Sequence, residues 1–169
     1  MRWDLVVAGG GIAGSALAAV MARKGKSVLL LEQSTVFEDR VRGEWIAPWG
    51  VTETKRVGLY DRLIAAGGHH LTRHVTYDEG VPPETAETHV LPLGLFAEGI
   101  PGPLCIGHPH HCQTLFDEAK RAGARAVRPA QVTCVTLGAR PSVTYIADGA
   151  EQVAEADLIV GAEGRVSGV

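Results

Sequence analysis

The chain has 169 residues, enough for one domain with a hydrophobic core and a fraction of another. Hydrophobic residues make up 46% and charged residues 21%, a balance that argues against a disordered chain. The formal net charge of −3 leaves no basic face and argues against a nucleic-acid partner.

In chain order, residues 5–8 (LVVA) are a short apolar run before glycines, the pattern of a strand buried on both faces. Residues 12–23 carry alanine, leucine and methionine, with a basic last turn and Gly25 beyond it, which predicts a helix with a C-terminal stop. Residues 28–31 (VLLL) are a second buried strand, so the first thirty residues form a β-α-β unit with parallel strands. Gly25, Lys26 and Glu32 interrupt this apolar region too early for a membrane span, and it carries no signal-peptide cleavage pattern. A polar loop is expected over 34–44, then two short helices over 46–57 and 59–66 that are separated by Gly58. Strands are expected over 71–77 and 89–96, flanked by the turn-rich EGVPPET and EGIPGP. A helix over 110–122 ends at Gly123, and strands follow over 125–127, 132–137 and 142–147. ADGAE reads as a hairpin turn, and 158–160 is a last buried strand that leads into GAEGRVSGV. Helices and strands interleave, so the fold class is α/β; residues 69–107 stand out as antiparallel strands inserted into a parallel arrangement.

The glycines after the first strand carry the strongest chemical signal. Gly9, Gly11 and Gly14 form G-x-G-x-x-G between a predicted strand and a predicted helix. In that pattern Gly9 permits the tight turn, Gly11 lets a pyrophosphate reach the main chain, and Gly14 lets helix and strand pack closely. The helix start offers unpaired N–H groups and a partial positive charge. Glu32, at the end of the second strand, has the offset expected of an acid that accepts hydrogen bonds from ribose hydroxyls. A carboxylate there repels a 2′-phosphate, which disfavours NADP as the ligand and leaves FAD and NAD open.

Three further segments decide between these. RGEWIAPWG (residues 42–50), the stretch HPHHCQTLFDEAKRAGARAVRPAQV, and ADLIVGAEGRVSGV occur in the order found in flavin-dependent monooxygenases of the para-hydroxybenzoate hydroxylase type, which the whole chain resembles. The resemblance implies a Rossmann-like FAD-binding parallel sheet with the inserted segment 69–107 belonging to a substrate-side sheet. Residues 1–169 are then the FAD-binding domain, with the C-terminal part of the family fold absent, including the third flavin motif G-D-A. It also implies the cofactor-binding set. Gly9, Gly11, Ile12, Ala13 and Gly14 take the pyrophosphate, and Glu32 takes the ribose with Gln33 beside it. Arg42 takes the phosphate or ribityl chain, Val132 the adenine through its main chain, and Glu163 and Gly164 the flavin chain. Glu163 stands where the family usually has aspartate, His108 where it often has an arginine, and Gln33 where a basic residue is common.

The activity implied is that of an NAD(P)H-dependent monooxygenase. NAD(P)H reduces FAD, O₂ adds to form a C4a-hydroperoxide, and a small aromatic or olefinic substrate is hydroxylated or epoxidised. The cofactor carries that chemistry, and no catalytic acid or base is singled out. Flavin halogenases and geranylgeranyl-type reductases share these motifs. A non-catalytic nucleotide-binding fragment and an NAD-dependent dehydrogenase domain are the alternatives from other classes.

The remaining features have structural explanations. His110 and His111 are adjacent on a helix start and point apart, so HPHHC is expected to be a helix terminus and not a metal site. Cys105, Cys112 and Cys134 lack a CxxC pair and are expected to be reduced, buried thiols in a cytoplasmic protein. Trp45 and Trp49, around Pro48, fit either packing of a short helix or a ligand channel. Arg23-Lys24 and Lys120-Arg121 precede glycines, where they favour helix C-terminal dipoles.

Overall fold

The computed structural model describes residues 2–39 and 44–164, and the chain divides into two compact units, Met1–Arg40 with Pro109–Val169 and Val41–His108. The first unit is built on β1 (Arg2–Ala8), α1 (Ile12–Arg23) and β2 (Val28–Leu31). Leu5 to Ala8 and all four residues of β2 are at most 2% exposed, as expected of strands covered on both faces. The two strands run parallel, with Leu5 opposite Val28 and Ala8 opposite Leu31.

Numbering the strands and helices along the whole chain, this unit is completed by α5 (His108–Arg121), β8 (Arg125–Val127), β9 (Ala130–Thr136), β10 (Ser142–Ala147) and β11 (Ala150–Gly161). The sheet order is β8-β2-β1-β11-β10-β9. The first four strands are parallel, while β9, β10 and β11 form an antiparallel meander. β11 serves both halves: its early residues pair with β10, and its late residues pair with β1 up to Ala8 opposite Gly161. The hairpin expected at ADGAE is present, with Asp148 (φ 52°) and Gly149 (φ 73°) supplying the two left-handed residues of a tight turn.

One sheet face carries Val6, Leu29, Leu31, Val143 and Tyr145 as a continuous core. The alternate residues face the helices: Val7 lies against α1 beneath Gly14. Arg23, the last residue of α1, is ion-paired to Glu118 on α5, and Arg121 joins the same carboxylate. These two arginines therefore do more than favour helix dipoles; they clamp one buried acid.

The second unit holds β3 (Trp45–Ile46), α2 (Pro48–Arg56), α3 (Tyr60–Ala65), β4 (His69–His70), β5 (Arg73–His74), α4 (Pro83–Ala86), β6 (Leu91–Pro92), a 3₁₀ turn over Leu93–Phe96, and β7 (Leu104–Cys105). Its strands pair antiparallel as β3-β7-β4 and β5-β6. Val51, Leu59, Leu63, Leu104 and Ile106 are buried within it. The segment 69–107 lies inside this unit, which also takes in α2 and α3.

Several expected elements are shorter here, for local reasons. The helix expected from residue 46 starts at Pro48, because a residue before proline is pushed out of the helical region and Ala47 is extended (φ −57°, ψ 153°). The strand expected over 89–96 pairs only at Leu91–Pro92, since Pro92 has no N–H for the ladder and the chain coils into the 3₁₀ turn. The strand over 71–77 is reduced to Arg73–His74.

Trp45 and Trp49 are 54% and 66% exposed, so helix packing does not account for them. Cys112 is buried and Cys105 half-buried, but Cys134 is exposed, which corrects the expectation for that thiol. It sits on outermost β9, whose outward face nothing in the sheet covers. His110 is exposed while His111 is buried, and no group of three metal-binding side chains occurs among the described residues. Among those residues no helix is long and apolar enough to cross a membrane.

Candidate dinucleotide site

The parallel register brings four chain segments out at one edge of the sheet. Ala8, Leu31 and Gly161 are level, and Val127 is level with Leu31. The four strand exits therefore gather there: the glycine turn after β1, Glu32 after β2, Arg128 after β8 and Ala162–Gly164 after β11. The chain steps from β1 to β2 on one side and arrives at β11 on the other, so the crevice lies where strand order reverses, the position at which open α/β sheets bind ligands.

The glycine turn is fixed by main-chain bonds from Gly9 N to the Leu31 carbonyl (2.8 Å), from Ala162 N to the Ala8 carbonyl (2.6 Å) and from Ser15 N to the Gly11 carbonyl (2.9 Å). Gly9 has φ +103°, and a Cβ there would run into the Ala162 carbonyl. A Cβ on Gly14 would collide with the Gly9 carbonyl oxygen and press on Val7. Both glycines are required by the fold itself.

Gly11 is different. Its backbone (φ −68°, ψ −165°) is open to any residue, and among the described residues a Cβ would find no atom within 4 Å beyond its chain neighbours. Nothing among the described residues requires glycine there. Gly11 is also the N-cap of α1 and offers no side-chain cap, the first turn of α1 holds no acid, and Ile12 and Ala13 are exposed. The helix thus presents uncapped N–H groups and bare main chain toward open space, which fits a diphosphate.

Glu32 is 7% exposed. One carboxylate oxygen accepts from Gly10 N and the other from Ser34 N, both at 2.7 Å. A carboxylate has about four acceptor directions, so two remain for ribose hydroxyls. Its main chain is equally engaged: Glu32 N donates to the Val127 carbonyl and its carbonyl accepts from Ala130 N. The residues present therefore fit FAD at its adenosine diphosphate half.

Gln33 is exposed and lines an open hollow of ≈ 460 Å³ with Ser34, Pro129, Gln131, Asp148 and Gly149. Val132 is one residue further on; its side chain packs inward against the core and its main chain pairs with Tyr145. Pro129 and Gln131 are the β9-side residues that face the hollow. Glu163 and Gly164 follow β11 beside the turn, with Gly164 exposed at φ +85°. His108 belongs to the second unit, and Arg42 lies outside the described residues.

Three participants escaped the sequence reasoning. Gly10 occupies a variable position of the motif, yet its amide holds Glu32. Ser15 is fully buried and donates Oγ–H to the Gly10 carbonyl at 2.6 Å; a serine beside Gly14 on the buried helix face was the available signal. Arg128 donates Nε–H to the Ser34 carbonyl at 2.6 Å and carried no sequence signal.

A family model described as FAD binding domain matches residues 2–169. Squalene monooxygenase of Mus musculus is 33% identical over 75 residues, 44% of this chain and 13% of that protein. A squalene epoxidase of Aspergillus fumigatus is 45% identical over 60 residues, 36% of this chain and 12% of that protein. Among solved structures, an anhydrotetracycline hydroxylase from Streptomyces rimosus superposes with TM-score 0.79 at 23% identity, covering 99% of this chain and 33% of that one. A myxobacterial chondrochloren halogenase, described as FAD-dependent, superposes with TM-score 0.79 at 26% identity, covering 98% and 38%. The chain thus spans a minor share of each of these four proteins.

Proposed function

Since the chain belongs to the FAD-binding-domain family, we propose that it is the FAD-binding part of an NAD(P)H-dependent flavin monooxygenase that hydroxylates or epoxidises a small aromatic or olefinic substrate. The observation that carries the proposal is Gly11: a glycine that no described residue requires, at the uncapped start of a helix, next to the Gly10 amide that holds a buried acid. Gly9 to Gly14 would hold the diphosphate through main-chain N–H groups, and Glu32 would accept from the adenosine ribose. When bound, FAD supplies the redox chemistry with O₂, and the protein supplies binding, orientation and exclusion of water.

The relatives support the oxygenation class. The Mus musculus and Aspergillus fumigatus relatives are named for the monooxygenation and epoxidation of squalene, an olefin. The likeness to a halogenase, at 26% identity, favours a second reading in which the same flavin-binding part serves halogenation. Two measurements test the proposal: flavin content of the purified chain, and NAD(P)H oxidation in air by the protein carrying its substrate-binding portion, with and without added halide. Purification free of flavin, with no binding of added FAD, would refute the assignment. Halide-dependent product formation would replace monooxygenation by halogenation.

A further inference from the structure

Arg128 leaves the end of β8 and reaches toward the loop after β2. Its guanidinium carbon stands 4.2 Å from the ring centre of Phe37 and 5.3 Å from that of Phe116. Those rings meet edge to face at 6.0 Å and 72°. While packed against both rings, Arg128 donates Nε–H to the Ser34 carbonyl at 2.6 Å and a terminal N–H to Gln113 Oε1 at 3.0 Å. One side chain therefore fastens the loop after β2, helix α5 and the β8–β9 connection.

Two of these contacts, Ser34 and Phe116, lead to Glu32. Ser34, whose carbonyl Arg128 holds, gives its own amide to one Glu32 oxygen. The other oxygen takes the Gly10 amide, and Gly10 lies against Phe116: a Cβ on Gly10 would be 3.0 Å from the Phe116 ring. Arg128 thus braces both residues whose amides hold the carboxylate, Ser34 directly and Gly10 through Phe116. Apolar packing against the two rings would be met by methionine. Two directed donors on a planar, delocalised cation that also stacks is a task for arginine, and lysine cannot perform both parts.

We infer that Arg128 is a positioning residue for the adenosine end of the nucleotide, fixing the Glu32 carboxylate in the orientation that receives the ribose hydroxyls. This rests on the proposed function, in which Glu32 binds that ribose. Arg128 itself need not touch the nucleotide.

The test compares ADP with 2′-deoxy-ADP by titration calorimetry on the full chain, in wild type, R128M and R128K, with FAD binding measured alongside. A hydrogen bond to a charged group sets the scale, so wild type should prefer ADP by about tenfold. R128M should lose about tenfold in ADP affinity while 2′-deoxy-ADP changes little, so the preference collapses, and R128K should not restore it. Should R128M fail to fold, R128K and F37L read the same ratio. Equal weakening of both nucleotides, or a preserved preference, would overturn the inference while leaving the nucleotide site intact. Wild type that binds neither ADP nor FAD, or binds ADP with no preference, would remove the premise and the inference together.

Discussion

The Gly10 amide donates to the buried Glu32 carboxylate at 2.7 Å across 22 residues of sequence, joining the glycine turn to the tip of β2. With Ser34 N on the other oxygen, Glu32 is a structural anchor as well as the proposed acceptor for ribose. Hydrogen bonds to charged groups contribute about 1.5–3 kcal/mol each, so Glu32→Ala should cost roughly 2–4 kcal/mol even without nucleotide. Glu32→Gln keeps one acceptor oxygen but turns a donor toward an amide, and should fall between. Thermal melts of apoprotein measure the anchor, and flavin content of the folded variant measures the ribose role. Full flavin occupancy in folded Glu32→Ala would mean that the ribose is held elsewhere.

Gly11 and Gly14 should respond in opposite ways to a methyl group. At Gly14 the methyl would meet the Gly9 carbonyl, so Gly14→Ala should disrupt the turn and lower stability severely. At Gly11 it would meet no described residue beyond its chain neighbours, so Gly11→Ala should leave the apoprotein within about 1 kcal/mol of wild type. The bulkier Gly11→Val would intrude where the diphosphate belongs and should abolish FAD retention. Melting temperature and flavin content, measured together, separate a glycine needed for folding from one needed for binding. A Gly11→Val protein that keeps its flavin would contradict the close-approach argument.

The elements legible in the sequence were those whose pattern is set locally. β2 and β8 occur where short runs after the helix-stopping Gly25 and Gly123 placed them, and α1 occurs between Gly11 and the basic turn before Gly25. The acid at the end of β2 was legible for the same reason, since the glycine motif predicts its offset. Long-range pairing was hidden. Nothing local reveals that β11 extends from Ala150 to bridge an antiparallel meander and a parallel sheet, because its early residues look polar on their exposed face. Gly10, Ser15 and Arg128 were invisible for a related reason: their roles are hydrogen bonds to residues brought close only by strand register.

The three thiols offer a direct check on the two units. Cys134 on the exposed face of β9 should react readily with a maleimide in native protein, while buried Cys112 should react only on unfolding. Cys105 should lag behind Cys134, because burial and then the Glu44 charge raise its thiol pKa and thin its thiolate population. Mass spectrometry of the labelled peptides orders the three. Fast labelling of Cys112 would show that α5 does not pack as described.

Glu118 joins the last residues of two helices, Arg23 of α1 and Arg121 of α5, while itself only 3% exposed. Arg121 grips it with Nε at 2.7 Å and a terminal nitrogen at 2.6 Å, and Arg23 bonds the second of the same oxygens. The Arg121 hydrogen bonds, aided by Arg23 and opposed by burial, bring its carboxyl from 4.5 down to about 2. The native state therefore favours the ionised form, and the stabilisation is complete above the unfolded value of 4.5 and disappears as pH falls through about 2. The size at neutral pH is about 3 kcal/mol. Glu118→Gln should accordingly melt well below wild type at pH 6 to 8, and the gap should narrow between pH 4.5 and about 2. A gap that stays constant through that range would show that packing at Glu118, and not its charge, holds α1 to α5.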